Sequence, residues 1–279
     1  MQVVRIHGEP LRPSTIVLDA KHSIVAQSLD SPLGAETVNG DGFGFGFGWY
    51  PTGAPRGTEP ALFHSIEPAW NDENLRELTR ASESPLFFTH VRAASAPPIQ
   101  QTNCHPFRHE NWMLMHNGAI SGWSEPKRDL TLAIDPSLYP NVLGTTDSEV
   151  LFSLALTLGL REDPIGAIGR AIRTIESVGD AHKVRFAWQG TVAVSDGETL
   201  WAFRYSSQGR TRSLFHSTDI PTLREMYPEA ERLAVFGDRA RVVVSEPLTD
   251  LPGVFVEVPE STVVVLEADG YRHQPFLSD

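Results

Sequence analysis

The chain is short of several things that would each have fixed its class. It has one cysteine, Cys104, in 279 residues, so no internal disulfide can form and stability does not depend on an oxidising compartment. No stretch approaches the roughly 20 consecutive apolar residues of a membrane helix. The opening MQVVRIHGEP has no basic segment leading into an apolar run, so no secretion signal is read there. A cytoplasmic setting is the expectation. Lysine occurs only at Lys21, Lys127 and Lys183, and the other basic residues are arginines, which reads as genomic base composition. Positive charge is the minority, 23 basic residues against 35 acidic ones, a net of −12 with pI near 5.3. Such a surface repels phosphate backbones and anionic membranes. Neither nucleic acid nor membrane is expected as a partner, and no internal repeat or charged tail is present.

What remains is an ordinary globular composition, 41% apolar and 21% charged, in a chain long enough to build a core without metal or cross-links. Strand-like runs recur at 2–6, 42–49, 61–66, 86–92, 111–116, 184–195, 198–205, 241–245 and 262–267. Asp196-Gly197 reads as a two-residue hairpin turn, and Asp269-Gly270 as a turn near the end. Asn71 is placed to cap a helix whose first turn holds Asp72 and Glu73. Thr146 precedes a helix carrying Val150, Leu151, Leu154 and Leu158 at helical spacing, and Asp163-Pro164 opens another through Ile165, Ile168, Ile172 and Ile175. The Pro- and Gly-rich stretch 51–60 is a loop between strands. Many antiparallel strands with two adjacent helices predict a layered α+β protein, with residues 1–279 as a single domain.

The run Asn39-Gly-Asp-Gly-Phe-Gly-Phe-Gly-Phe-Gly48 fails the spacing of a phosphate-binding loop. Alternation puts Gly42, Gly44, Gly46 and Gly48 on one face of a strand, where another backbone or a substrate can approach closely. Asn39 and Asp41 are polar groups at its mouth. Two apolar strands end in groups a buried strand does not need: Arg92 after LFFTHV, and Asn117-Gly118 after WMLMH. Singly they read as a surface ion pair and a turn. Together they suggest a guanidinium for a carboxylate, and an amide side chain plus a glycine N–H for an oxyanion. Asp147 suits the helix dipole or a substrate ammonium, and Glu149 the dipole alone. Cys104-His105 reads as packing, since no second cysteine or well-spaced histidine completes a metal set. No metal or cofactor is expected.

The pieces GEP at 8–10, NGDGFGFG at 39–46, PAWNDENL at 68–75, SPLFFTHVRA at 84–93, TNCHPF at 102–107, HNG at 116–118, TTDSE at 145–149 and SEPLTDLPG at 245–253 together resemble the class II glutamine amidotransferases, in particular their stand-alone bacterial branch. The resemblance implies the N-terminal-nucleophile hydrolase fold, a four-layer αββα sandwich of two mainly antiparallel sheets. It further implies that Arg92 holds the α-carboxylate of glutamine and Asp147 its ammonium, that Asn117 and the Gly118 N–H form the oxyanion hole, and that Ser95 supports the substrate. The family's nucleophile is a cysteine at residue one, whose own α-amino group acts as base. Counting back from Gly8-Glu9-Pro10, that slot falls on Met1, or on Gln2, and the first hydroxyl residue is Ser14. Two functions stay open. One is hydrolysis of glutamine or a γ-glutamyl amide through a γ-glutamyl thioester if an N-terminal cysteine is present, with a separate synthase subunit as a candidate partner for the ammonia. The other is an inactive relative that binds glutamine or a γ-glutamyl ligand in a regulatory role.

Overall fold

The alternating glycines and phenylalanines form an inner strand of a seven-stranded sheet in the computed structural model, which describes residues 2–5, 10–29, 43–93, 98–267 and 270–278. That sheet consists of β1 (Gln2–Arg5), β2 (Phe43–Trp49), β3 (Ala61–Ser65), β4 (Leu86–Ala93), β9 (Phe215–Ser217), β10 (Arg241–Val244) and β11 (Phe255–Glu257), in the order β11-β9-β10-β1-β4-β2-β3. A second sheet holds β5 (Phe107–His109), β6 (Trp112–Ile120), β7 (Trp188–Ser195), β8 (Leu200–Ser206), β12 (Thr262–Glu267) and β13 (Gly270–Pro275), in the order β13-β12-β8-β7-β6-β5. Neighbouring strands pair antiparallel, as between β2 and β4 or β6 and β7.

Period-2 alternation sorts the buried side chains into three clusters. Phe45, Phe47 and Phe87 leave the first sheet toward α1 (Ser14–Val17), α2 (Ile24–Gln27), α3 (Glu73–Ala81) and α7 (Ile220–Met226), meeting Ile16, Ile24, Leu75 and Leu223. Leu86 and Phe88 point the other way and meet Met113, Met115, Ala193, Ala202 and Val264 of the second sheet. Trp112, Leu114, Val192 and Phe203 cover the far side of that sheet under α4 (Lys127–Leu132), α5 (Asp147–Thr157) and α6 (Pro164–Ala181). Three apolar interfaces between two sheets and two helical groups make the αββα sandwich. Burying each of these phenylalanines contributes about 1.5–3 kcal/mol. Among the described residues, no helix is long and apolar enough to cross a membrane.

The capping signals at Thr146 and Asp163 act as read: their side chains accept from the Glu149 and Gly166 amides. Three local readings are corrected. Asp72 caps α3, taking the Leu75 N–H at 2.9 Å, because Asn71 ends a 3-10 turn begun after Pro68. The β7–β8 connection has four residues, 196–199, with Asp196 accepting from the Glu198 and Thr199 amides and Gly197 at φ +95°. Strand β6 does not end before Asn117-Gly118 but continues to Ile120. Pairing with β7 carries it through, Asn117 opposite Thr191 and Gly118 opposite Gly190, so the sheet ladder overrides the local turn preference.

Candidate functional site

The sheets are pinned together at one end. The Tyr50 hydroxyl, just past β2, lies 2.7 Å from the Asn111 carbonyl and 3.0 Å from the Ser195 carbonyl, while the Tyr50 amide donates to Leu86. The Leu86 end of β4 is thereby held over the Ser195 end of β7. Along β4 the inner-facing residues run Leu86, Phe88, His90, Arg92 away from the pin, and along β6 they run Met113, Met115, Asn117. Arg92 and Asn117, on different sheets, emerge at the same end of the inter-sheet layer.

At that end the glycine face of β2 is occupied by backbone. A Cβ on Gly46 would lie 1.8 Å from the His105 carbonyl oxygen, one on Gly44 2.7 Å from Cys104 Sγ, and one on Gly48 2.6 Å from Pro106 Cγ. Cys104-His105-Pro106 therefore lies flat on the bare strand, and only glycine there permits it. Cys104 is buried, with Sγ 3.6 Å from the Ser65 carbonyl and 3.7 Å from that of Gln100. Burial pushes its thiol up to about 11, against the pull of Arg92. A buried, protonated thiol is packing, not a nucleophile. Arg92 is itself buried at 8% exposure. Desolvation draws its pKa down, and the charges of Cys104 and Asp147 oppose that. Asp147 is thus within electrostatic reach of the guanidinium.

Asn117 is half-buried on the inner face of β6, and among the described residues its carboxamide makes no hydrogen bond. Gly118 is forced by contact: a Cβ would sit 2.0 Å from the Gln189 carbonyl oxygen and 2.5 Å from His116 Nε2. His116 fills the space beneath it. Its ring stacks on Trp188 at 4.7 Å and lies against the backbones of Gly118 and Gly190, where a second Cβ would come within 2.3 Å of Nε2. His116 Nδ1 is 3.0 Å from Ser148 Oγ, which is 3.3 Å from Asp147 Oδ1. Asp147 Oδ1 also accepts from the Ser148 amide and Oδ2 from the Ile120 amide at 2.7 Å. The carboxylate at the start of α5 is therefore fixed to the end of β6, next to Gly118.

Two further side chains hold the loop ahead of α5. Glu149 accepts from the Leu143 and Gly144 amides at 2.8 and 2.7 Å, and Asn103 Oδ1 accepts from the Thr145 amide at 2.8 Å. Thr146-x-x-Glu149 has the spelling of a capping box, but its glutamate reaches past the cap to clamp the loop. Burial raises the Glu149 pKa, and those two amides pull it back. Its role exceeds the dipole interaction expected of it. His90 and His105 are buried with ring centroids 4.3 Å apart. Desolvation first, then neighbouring positive charge, holds both well below the ordinary histidine range, so they stay neutral. Among the described residues no three His, Cys, Asp or Glu side chains are grouped to hold a metal ion.

Of the residues singled out by sequence, Arg92, Asn117, Gly118 and Asp147 lie at the inter-sheet end or the adjoining start of α5. Met1, Ser95, Asn39 and Asp41 lie outside the described residues. Sequence reasoning missed His116, Asn103 and the clamp made by Glu149. The signals for His116 and Asn103 were present as polar residues inside HNG and TNCHPF, but their partners come from α5, its preceding loop and β7.

This arrangement of two sheets, helical covers and a polar inter-sheet end belongs to a known class. Residues 23–268 match the family model for glutamine amidotransferases class II, and the chain belongs to that family. Among particular relatives, it is 32% identical to a probable glutamine amidotransferase of Saccharomyces cerevisiae, over 97% of this chain and 82% of that one. It is 26% identical to the gamma-glutamyl-hercynylcysteine sulfoxide hydrolase of Mycolicibacterium smegmatis, over 92% of this chain and 91% of that one. The structure of a class II glutamine amidotransferase-domain protein from Silicibacter pomeroyi, titled an aminotransferase, superposes with TM-score 0.70 at 29% identity, covering 100% of both chains. Glutamine phosphoribosylpyrophosphate amidotransferase from B. subtilis shares the fold, with TM-score 0.65 at 17% identity over 50% of its length. The likeness is to stand-alone members, and the yeast relative extends it beyond bacteria.

Proposed function

We propose that this protein binds the γ-glutamyl half of glutamine or of a γ-glutamyl amide, with residues 1–279 acting as one glutaminase-type domain. The observation that carries the reading is the shared end of Arg92 and Asn117, with Asp147 in electrostatic reach of the guanidinium. An α-amino acid needs a cation for its carboxylate and an anion for its ammonium, and donors at the far end where the amide reacts. Arg92 serves the carboxylate, Asp147 the ammonium, and Asn117 with the Gly118 N–H the amide oxygen. Ser95 supports the substrate in this scheme. The yeast relative's name and the mycobacterial relative's hydrolase title support a γ-glutamyl substrate.

Turnover requires a thiol at the head of β1, where Met1 stands. With a cysteine there, the thiolate attacks the γ-carbonyl and the oxyanion is held by Asn117 and Gly118. The C–N bond then breaks, and the amine leaves with a proton passed by the α-amino group. Water hydrolyses the thioester to glutamate and restores the thiol. The ammonia released from glutamine would serve a separate synthase, in a cytoplasmic setting that suits a lone buried cysteine. As written, Met1 is a thioether and cannot attack. That favours a second reading, saturable binding without turnover. Calorimetric titration with L-glutamine and L-glutamate tests the pocket, and ammonia release after inserting a cysteine behind Met1 tests the chemistry. A charge-assisted bond is worth about 1.5–3 kcal/mol, so Arg92→Ala should weaken binding by about tenfold to a hundredfold. Absence of binding by the parent chain, or equal binding by the variant, overturns the assignment.

A further inference from the structure

A second polar group adjoins Asn117 and has no part in the scheme above. On the inner face of the second sheet, Asn117, Thr191 and Arg204 stand side by side in register across β6, β7 and β8. Arg204 Nε lies 3.5 Å from Glu260 Oε2, which accepts the Thr211 amide at 3.2 Å, and Arg212 follows. The segment 210–214 crosses from one sheet to the other at this end: the Arg210 carbonyl accepts from Gln189 Nε2 of β7, and Ser213 Oγ donates to the Ser245 carbonyl just past β10. Five buried atoms of this group, Thr191 Oγ1, Arg204 Nε, Thr211 Oγ1, Arg212 Nε and Glu260 Oε1, have no hydrogen-bond partner. Thr191 is wholly buried. Buried polar atoms are ordinarily satisfied, so such a concentration marks a place where something polar binds.

The charges say what kind of molecule. Arg204 is neutralised by Glu257 at 2.7 Å and by Glu260. Arg212 has no carboxylate within ion-pair distance among the described residues, and its charge is felt at His116, the residue before Asn117. A fixed cation without a counter-charge, beside a buried hydroxyl, selects an anion.

We propose that Thr191 and Arg212 form the subsite for the leaving amine, and that they receive a carboxylate carried on it. The substrate class is then γ-glutamyl amino acids and peptides in preference to glutamine. The inference rests on the γ-glutamyl reading of the site.

The test uses the chain as it is, by calorimetric titration with γ-L-glutamylglycine, γ-L-glutamylethylamide and L-glutamine. The first two share the γ-glutamyl half and differ in the carboxylate. The expected result is about tenfold tighter binding of γ-glutamylglycine than of the ethylamide, a ratio that collapses toward one in Arg212→Gln and narrows in Thr191→Val. A substitution that only loosens the fold moves both ligands together and leaves the ratio intact. Equal affinities in the parent chain, or a ratio unchanged in the variants, overturn the subsite while leaving the γ-glutamyl pocket standing. Failure of all three ligands to bind the folded parent overturns the γ-glutamyl reading, and the subsite with it.

Discussion

Replacing Gly46 by alanine adds one methyl group at the most crowded point of the glycine face. Its Cβ would lie 1.8 Å from the His105 carbonyl oxygen, 2.7 Å from His64 Cδ2 and 2.9 Å from the His105 carbonyl carbon, where ordinary contact begins at 3.4 Å. The backbone of one partner must retreat by about 1.6 Å to restore that contact. His64 can rotate; the His105 carbonyl cannot move alone. Pro106 behind it abuts Gly48, and Cys104 ahead of it is buried against Gly44. Overpacking by one methylene costs about 1–3 kcal/mol, and a backbone clash in a doubly covered sheet belongs at the top of that range. At about 2–4 °C per kcal/mol for a chain of this class, Gly46→Ala should lower Tm by about 6–12 °C in differential scanning calorimetry. Gly270→Ala is the control, since nothing lies within 4 Å of its Cβ and its φ is not in the left-handed region. It should leave Tm within about 2 °C. A Gly46→Ala protein as stable as Gly270→Ala would refute the close approach of 104–106 to β2.

Stability should fall in mild acid. His90, His105 and His116 are each held below the ordinary histidine pKa by burial, so the unfolded chain takes up protons that the native one refuses. Their contribution is complete above about pH 6.5 and is lost below it as pH approaches the native values, at up to about 1.4 kcal/mol per pH unit for each. Glu149, raised by burial, works the other way just above the ordinary carboxylate range. Urea midpoints measured between pH 8 and 5 should decline below about pH 6.5, and a flat profile would contradict neutral burial. Cys104, with its thiol at about 11 and 1% exposure, is thiolate in about one molecule in a few thousand at pH 7.5. Ellman's reagent should label it only after denaturation, and labelling of the native protein at a free-thiol rate would refute its burial.

Much of the molecule could be read along the chain, and the divide is physical. Features set by a residue's own neighbours were legible: the capped starts of α5 and α6, the alternation in β2, and the loop at 51–60. The glycine face was read as room for a close approach, and the approaching backbone is Cys104-His105-Pro106. What could not be read depends on distant partners. Asn117-Gly118 has the local chemistry of a turn, yet Thr191 and Gly190, more than seventy residues away, supply a ladder that keeps it extended. Asn71 and Asp72 are equal as capping residues until the 3-10 turn after Pro68 decides which of them begins α3. Glu149 looked like a dipole residue because the amides it clamps precede it in a loop without periodicity. The inter-sheet row Asn117-Thr191-Arg204 is spread over three strands and has no signature in any one of them.

His116 joins these strands of argument. Its ring supports the backbone of Gly118 from below, and its Nδ1 leads through Ser148 to the carboxylate of Asp147. The two groups assigned to opposite ends of the ligand, an amide donor and an ammonium acceptor, are therefore positioned by one buried side chain. A hydrocarbon of the same shape could fill the space under Gly118 but could not bond to Ser148. A charged side chain could bond to Ser148 but would add a second cation near Arg92 and Arg212 in a region where burial already disfavours charge. A neutral imidazole meets both demands, the flat face for the glycine and the ring nitrogen for the hydroxyl. The desolvation that makes the fold sensitive to acid is the same desolvation that keeps this ring neutral and the site in register.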